Sequence, residues 1–426
     1  INNSANSYVT ADSLNMSSGT YINNGYTYVE NSAAVTGTVT GNLNIYGGLT
    51  ASSAKITNLN IYGSKKQTIS GNCTVNNLAF QKTSNVNITG TISVNGSIRE
   101  NDAHIIGGKN VVLNSTGKII GTTYKNTLTL NGANVSNMTF GSTLYTKGNT
   151  SLNNVVINNM LVQSETLNLN GDMTVKGDAS ISGTIAGTAG TLKLYGDLSG
   201  GGKISSLTMC SDKKQTITNA ITVTDFYNKA ANLNVGAAVT VNGKVHSEHP
   251  MQNGSNIRLS ASGSFGDNTY VGDITLNGIS GNLPDTFIGN ITAGSTAINL
   301  NKPSVIKGKL TLSGTTLNLN GATLTVNGTY SGSATVNLTD SELILNGITS
   351  PGGTITLNNS TLTANKIITS SASITVNEGS LANIKSDMTN SGKITGGGSL
   401  NLSGDLVNSG TVNVNTLNIN TKNRTL

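Results

Sequence analysis

Tryptophan is absent from this 426-residue chain, and phenylalanine (5), proline (4) and cysteine (2) are scarce. Charged residues make up only 10 %, against roughly 25 % in ordinary domains. Each shortage excludes something. Few Glu, Lys, Arg and Gln means few strong helix formers, which argues against a helical or α/β protein. Two cysteines do not make a disulfide scaffold. An aromatic content of 4 % is too low for the aromatic girdles of an outer-membrane barrel. No run approaches the ~18 consecutive apolar residues of a membrane helix, so membrane insertion is not expected. The net charge is +6, and only Arg99, Arg258 and Arg424 are arginines. Groove reading and bidentate phosphate recognition favour Arg, so nucleic acid is not an expected partner.

What is present is 51 Gly, 62 Asn and 59 Thr, about two residues in five. Apolar residues still reach 35 % and recur regularly, unlike a disordered chain. The recurrence has a period. Ile298, Leu317, Val336, Ile355 and Ile374 stand 19 residues apart. So do Val305, Leu324, Leu343, Leu362, Leu381 and Leu400. A looser series is Ile291, Leu310, Tyr330, Ile348 and Ile367. Three apolar series at one period mean three short strands per repeat.

Each strand alternates and then turns, as in Leu317-Asn-Leu-Asn-Gly321 and Leu324-Thr-Val-Asn-Gly328. Alternation buries the aliphatics and leaves Asn or Thr outside. Asn-Gly tolerates the positive φ of a tight corner. These features predict an all-β chain: a parallel, three-sided β-solenoid of about 19 residues per coil, its coils stacked ~4.8 Å apart. About 22 such coils would use the whole length, 1–426, as one continuous solenoid. Like residues then lie over like, and stacked Asn amides bond along the ladder where Asp would repel. On this phase Leu343 points inward, and outward Asn318 is expected to tolerate Ser with little effect.

Residues 281–426 carry the regular coils, and 1–280 are less regular but internally duplicated. Leu43-Asn-Ile-Tyr-Gly-Gly-Leu49 matches Leu192-Lys-Leu-Tyr-Gly-Asp-Leu198, and Lys65-Lys-Gln-Thr-Ile69 matches Lys213-Lys-Gln-Thr-Ile217. Val86–Gly96 matches Leu233–Gly243 at nearly the same offset. Residues 99–110 and 246–270 interrupt the pattern and read as extruded loops. The chain starts Ile-Asn-Asn and ends Thr-Lys-Asn-Arg-Thr-Leu, without a signal-peptide or anchor pattern, and reads as a mature fragment or cut domain.

No catalytic constellation emerges, and no cofactor is expected. Glu100 with Asp102, and Glu165 with Asp172, are the compact acid pairs; neither has the form of a matched catalytic pair, and both read as solvated loops. His246-Ser-Glu248-His249 offers a weak metal-ligand set that specifies no geometry. No P-loop or nucleophile elbow occurs. Cys73 is expected inward beside Val75 and Cys210 outward, with no bridge between them; so few cysteines suit a secreted protein.

The tyrosines are the candidate ligand-binding residues. Tyr46, Tyr62 and Tyr195 follow the pattern Leu-x-Ile/Leu-Tyr-Gly, which places them outside. Tyr46 and Tyr62 are one coil apart and are expected side by side on a flat face. Tyr21, Tyr26 and Tyr28 form a second cluster, and Tyr124 with Tyr145 a third. Exposed aromatic arrays stack on sugars; equally, Tyr simply favours strand faces and pairs across them.

The coils over 291–419, with their Leu-x-Leu-x-Gly strands and Asn/Thr faces, resemble the repeats of filamentous-haemagglutinin-type adhesins. In outline the chain also looks similar to the tāpirin cellulose-binding adhesins. The resemblance implies a right-handed β-helix at an extracellular bacterial surface, non-catalytic, attaching cells to an insoluble plant polysaccharide such as cellulose. A structural rod or filament subunit, monomeric or assembled end to end, is the alternative. A polysaccharide lyase or hydrolase, on the β-helix that pectate lyases and polygalacturonases share, is the third reading.

Overall fold

A computed structural model describes residues 2–81, 84–187, 189–279 and 281–420. Arg424 and the rest of the C-terminal hexapeptide lie outside them. The chain is an all-β parallel solenoid with about 19 residues per turn and about 22 turns. It divides into unit 1, Ile1–Leu207, and unit 2, Thr208–Leu426.

In unit 1 the alternation of Val, Ile and Leu builds continuous inner rows. Val39, Ile56, Val75, Val94, Leu113 and Leu130 are register partners in successive coils, each buried. At roughly 25 cal/mol per Å² of buried apolar area, these stacked aliphatics are the main favourable term. The same row then becomes polar, at Thr146 and Gln163. Gln163 donates to the Thr184 carbonyl at 3.2 Å, whereas the Thr146 hydroxyl is buried without a partner.

Unit 2 holds the regular coils. Ile298, Leu317, Val336, Ile355 and Ile374 stack in register as expected. Two other series slip by one residue. Leu324 pairs with Ser304, leaving Val305 on the outer face. Leu362 pairs with Ala382, so Ala382 is inside and Leu381 is not. In the third series Tyr330 pairs with Thr349, which in turn pairs with Ile368. Ile348 and Ile367 are therefore exposed, at 59 % and 51 %. With a side-chain period of two, a one-residue slip sends a residue to the other face. A corner that gains or loses one residue is enough to cause it.

Asparagine ladders run along the coils. Asn318 donates its amide to Asn299 at 2.7 Å and accepts from Asn337 at 2.8 Å. At a corner, Asn346 donates to Asn327 and accepts from Asn365. In unit 1, Asn77 donates to Asn58, which donates to Asn42. The ladders thus occupy strand faces as well as corners. Asn318 is a link in one of them, not an idle surface residue.

The duplicated blocks fold alike at matching places. Lys66–Ile69 pairs with Asn85–Ile88 in unit 1, and Lys214–Ile217 pairs with Asn232–Val235 in unit 2. The segments expected as extruded loops are instead mostly coil. The first contains strand residues 99–100 and His104–Ile106 and the 3-10 turn Gly108–Asn110. The second contains Met251–Gln252, the 3-10 turn Gly254–Asn256, Ile257–Leu259 and Ser264–Phe265. Left-handed residues absorb the irregularity at corners: Asp102 (φ 53°), Gly107 (φ 75°) and Asn253 (φ 54°).

Cys73 is 3 % exposed, and burial pushes its thiol up to about 12. Cys210 is half-buried. A thiol reagent reacts with the thiolate. Native protein treated with a maleimide is therefore expected to carry one label, on Cys210, and denatured protein two. Equal labelling of Cys73 in the native state would contradict the inward phase of its strand; mass spectrometry of the tryptic peptides reads the result.

Candidate functional site

The tyrosines of unit 1 are brought together by register. Tyr8 pairs with Tyr26 and Thr10 with Tyr28 on neighbouring coils. Tyr46 and Tyr62 each follow the last residue of the paired strands ending at Ile45 and Ile61. The result is one cluster of rings. Tyr8 and Tyr26 are stacked with centroids 5.4 Å apart, and Tyr46 and Tyr62 at 5.0 Å. Tyr28 links the two pairs, 6.2 Å from Tyr8, 6.5 Å from Tyr26 and 6.4 Å from Tyr46. Such contacts contribute about 0.5–1.5 kcal/mol each beyond area burial.

Tyr46 and Tyr62 are neighbours on adjoining coils, as their spacing leads one to expect, with ring planes 20° from parallel. Tyr8 is 69 % exposed. It was not among the expected site residues, because it lacks the Leu-x-Ile-Tyr-Gly context. Its spacing from Tyr26, about one coil, was the available signal.

Tyr21 does not belong to the exposed set. It is 6 % exposed and its hydroxyl lies 2.7 Å from Thr27 Oγ1, because it alternates in phase with the inward Asn23 and Val29. Tyr124 is likewise fully buried, so no exposed cluster joins it to Tyr145. Tyr195 is 45 % exposed and stands outside the stack.

Next to the stack lies a groove of about 500 Å³, lined by Glu30, Tyr46, Gly63, Lys65, Lys66 and Gln67 among others. Burial, then the Glu30 carboxylate, holds the Tyr46 phenol above its ordinary pKa; burial and then Tyr46 do the same for Tyr62. Gln67 donates to the Tyr62 carbonyl, while its Oε1 is buried without a partner. The matching Gln215 in unit 2 is satisfied: its Oε1 accepts from the Ser211 amide at 2.9 Å.

The histidine run of unit 2 is drawn into a different network. His246 Nδ1 is 2.8 Å from Asp267 Oδ2, and its ring lies 4.9 Å from that of Tyr227, its register partner. Gly266 makes room for the imidazole: a Cβ there would stand 1.9 Å from Cε1. Glu248 accepts from the Tyr227 hydroxyl and faces Lys229 at 3.7 Å. That hydrogen bond, with burial, pushes the Tyr227 phenol up to about 12. His249 is exposed and supplies only its carbonyl, which accepts from Asn228 and Ser247. His246, Glu248 and His249 therefore do not converge on a common point. Among the described residues, no group of three or more His, Cys, Asp or Glu is placed to hold a metal.

The acids of unit 1 act between coils. Glu100 is half-buried and accepts from the Lys125 amide at 2.6 Å and from the Asn126 side chain at 2.9 Å. Its pKa is raised, burial outweighing these bonds. It is a clip between coils and not the solvated loop residue expected. Asp102 pairs with Lys125, and Asp172 with Lys193 at 2.5 Å, which holds the Asp172 carboxyl below its ordinary pKa. Glu165 accepts from the Gly148 amide at 3.0 Å. Among the described residues no helix is long and apolar enough to cross a membrane. Comparison with family models, with curated proteins and with solved structures returns no match.

Proposed function

We propose that this chain is a non-catalytic adhesin domain of a bacterial surface, binding an insoluble plant polysaccharide through the tyrosine face of unit 1. The observation that carries this reading is the cluster Tyr8, Tyr26, Tyr28, Tyr46 and Tyr62 beside a polar groove. A cluster of phenols gives apolar ring surface and hydroxyls side by side, a combination suited to sugars. The stack also fixes the rings in advance, so little side-chain entropy is lost on contact. The likeness to tāpirin adhesins makes cellulose the first polymer to test.

Depletion from solution by crystalline cellulose is expected for the parent chain. Tyr8→Ala/Tyr46→Ala/Tyr62→Ala is expected to lower the bound fraction severalfold with the β-sheet circular dichroism signal intact. Unchanged depletion would remove the tyrosine face from the proposal. No reducing sugar and no unsaturated product is expected from pectin, alginate or cellulose; product formation would move the reading to a lyase or hydrolase.

A second reading is a structural rod subunit, favoured by the parallel solenoid itself, in which every coil offers a strand edge to the next and strand edges pair. Concentration-dependent growth in light scattering would support this role; a strict monomer at all concentrations would count against it.

A further inference from the structure

A second surface of unit 1 is built by a different outward row. Thr38, Lys55, Thr74 and Ser93 are register partners in successive coils. Val112, Thr129, Tyr145 and Val162 continue the same row. Short side chains dominate it. Three grooves open along it, of about 190, 430 and 310 Å³. The first two share Lys55 and Thr74, and the last two share Thr91. The first two therefore adjoin across the row, and the last two follow one another along the stacking direction as one trough.

The trough has a floor, a wall and a charge of one sign. Val112 and Thr129 point outward yet are each only 7 % exposed. The 3-10 turn Gly108–Asn110 packs beside them, and the Thr129 hydroxyl donates to the Lys109 carbonyl at 2.6 Å. Tyr145, half-buried, gives one aromatic surface. Lys55, Lys109 and Lys147 line the trough and are exposed. No carboxylate is among the described lining residues of the three grooves. Lys55 and Lys147 are five coil steps apart, about 24 Å at ~4.8 Å per coil.

We propose that this trough binds a single extended acidic polysaccharide chain, lying along the stacking direction with its uronate carboxylates against Lys55, Lys109 and Lys147. A linear glycan of extended form advances by nearly one coil per sugar, so the Thr and Ser hydroxyls meet it at a repeating interval. Ammonium to carboxylate bonds are charge-assisted. A Lys every two or three coils matches a polymer whose charge recurs along its length, and a neutral chain would leave those cations unused. The proposal shares with the preceding section only the ligand class, polysaccharide; its surface is not the tyrosine stack.

The test is calorimetric titration of the full chain with an oligogalacturonate long enough to reach from Lys55 to Lys147. A cello-oligosaccharide of equal length is the neutral control. The acidic oligomer is expected to bind, the neutral one at least about tenfold more weakly, and salt near 1 M to abolish the difference. Lys55→Ala/Lys109→Ala/Lys147→Ala is expected to weaken acidic binding by about tenfold or more with an unchanged melting temperature. Ser93→Trp is expected to obstruct the trough without altering charge. The equal-charge variant Lys307→Ala/Lys366→Ala/Lys385→Ala, in unit 2, should bind as the parent does. Absence of acidic binding, equal binding of the neutral oligomer, or equal loss in both lysine triples would overturn the proposal. Tyr46→Ala/Tyr62→Ala separates the two readings. If it loses cellulose depletion but keeps the oligogalacturonate, the trough stands by itself; loss of both would place the acidic chain on the tyrosine face and overturn the trough.

Discussion

Leu343→Asp is expected to abolish the cooperative unfolding transition of unit 2. Leu343 is fully buried and stands between Leu324 and Leu362 in its row. Losing the isobutyl group from a packed core costs about 2–5 kcal/mol. An unpaired carboxylate there adds several more, or shifts its pKa upward until it is neutral. A total of about 5 kcal/mol or more is comparable to the stability of a typical domain. Coils stabilise one another only through their neighbours, so the defect spreads to the coils above and below. The sign of the pH dependence follows. The introduced Asp has a folded pKa above its unfolded value, so the variant is least destabilised in acid and loses stability as pH rises through the folded pKa. Thermal melts at acid and neutral pH measure this. Asn318→Ser, which cuts two amide links of one ladder, is expected to cost about 1–2 kcal/mol. If the two variants melt alike, the inward and outward phase assigned to these strands is wrong.

Gly71→Ala is expected to give the second largest loss, in unit 1. Gly71 has φ +70°, and a Cβ on it would lie 1.7 Å from the Ala51 carbonyl oxygen of the neighbouring coil. Gly90 repeats the problem, its Cβ falling 1.6 Å from the Gly71 carbonyl oxygen. The corner is closed by backbone stacked on backbone, and a methyl group has nowhere to go. Left-handed strain costs about 1–2 kcal/mol and overpacking about 1–3, together about 3 kcal/mol. For a unit of this size that lowers the melting temperature by roughly 10 °C. Gly321→Ala isolates the two terms. Gly321 has φ +67° but nothing within 4 Å of its Cβ position, so only the strain of about 1–2 kcal/mol is expected. Equal losses at both sites would show that conformation alone, and not coil approach, selects glycine.

Much of this architecture is readable in the residues themselves. The 19-residue recurrence of Ile298 through Ile374 specifies a stacked coil, because only a parallel solenoid returns three strands to the same phase. Asn at equivalent positions specifies amide ladders, because neutral amides bond to their own kind. Inward Cys73 and outward Tyr46 follow from alternation. The candidate site was legible only in part. The Tyr46–Tyr62 neighbourhood follows from spacing, but Tyr8 was hidden by its unlike context, and Tyr21 lies on the inner face of a long bent strand.

The trough was not legible at all. Its row joins Thr38, Lys55, Thr74, Ser93, Val112, Thr129, Tyr145 and Val162, whose separations vary between coils. No fixed period picks them out. Ile348 and Ile367 make the same point from the other side, being apolar, periodic and exposed.

By itself, then, the sequence determined the fold class, the coil length and one inner row of the regular coils, Ile298 through Ile374, because alternation and recurrence are local properties of the chain. The tertiary structure decided which outward side chains share a row, and which tyrosines join one cluster. Those outcomes depend on inter-coil hydrogen-bond register, and one added or missing residue at a corner moves the side chains of the adjoining strand to the opposite face.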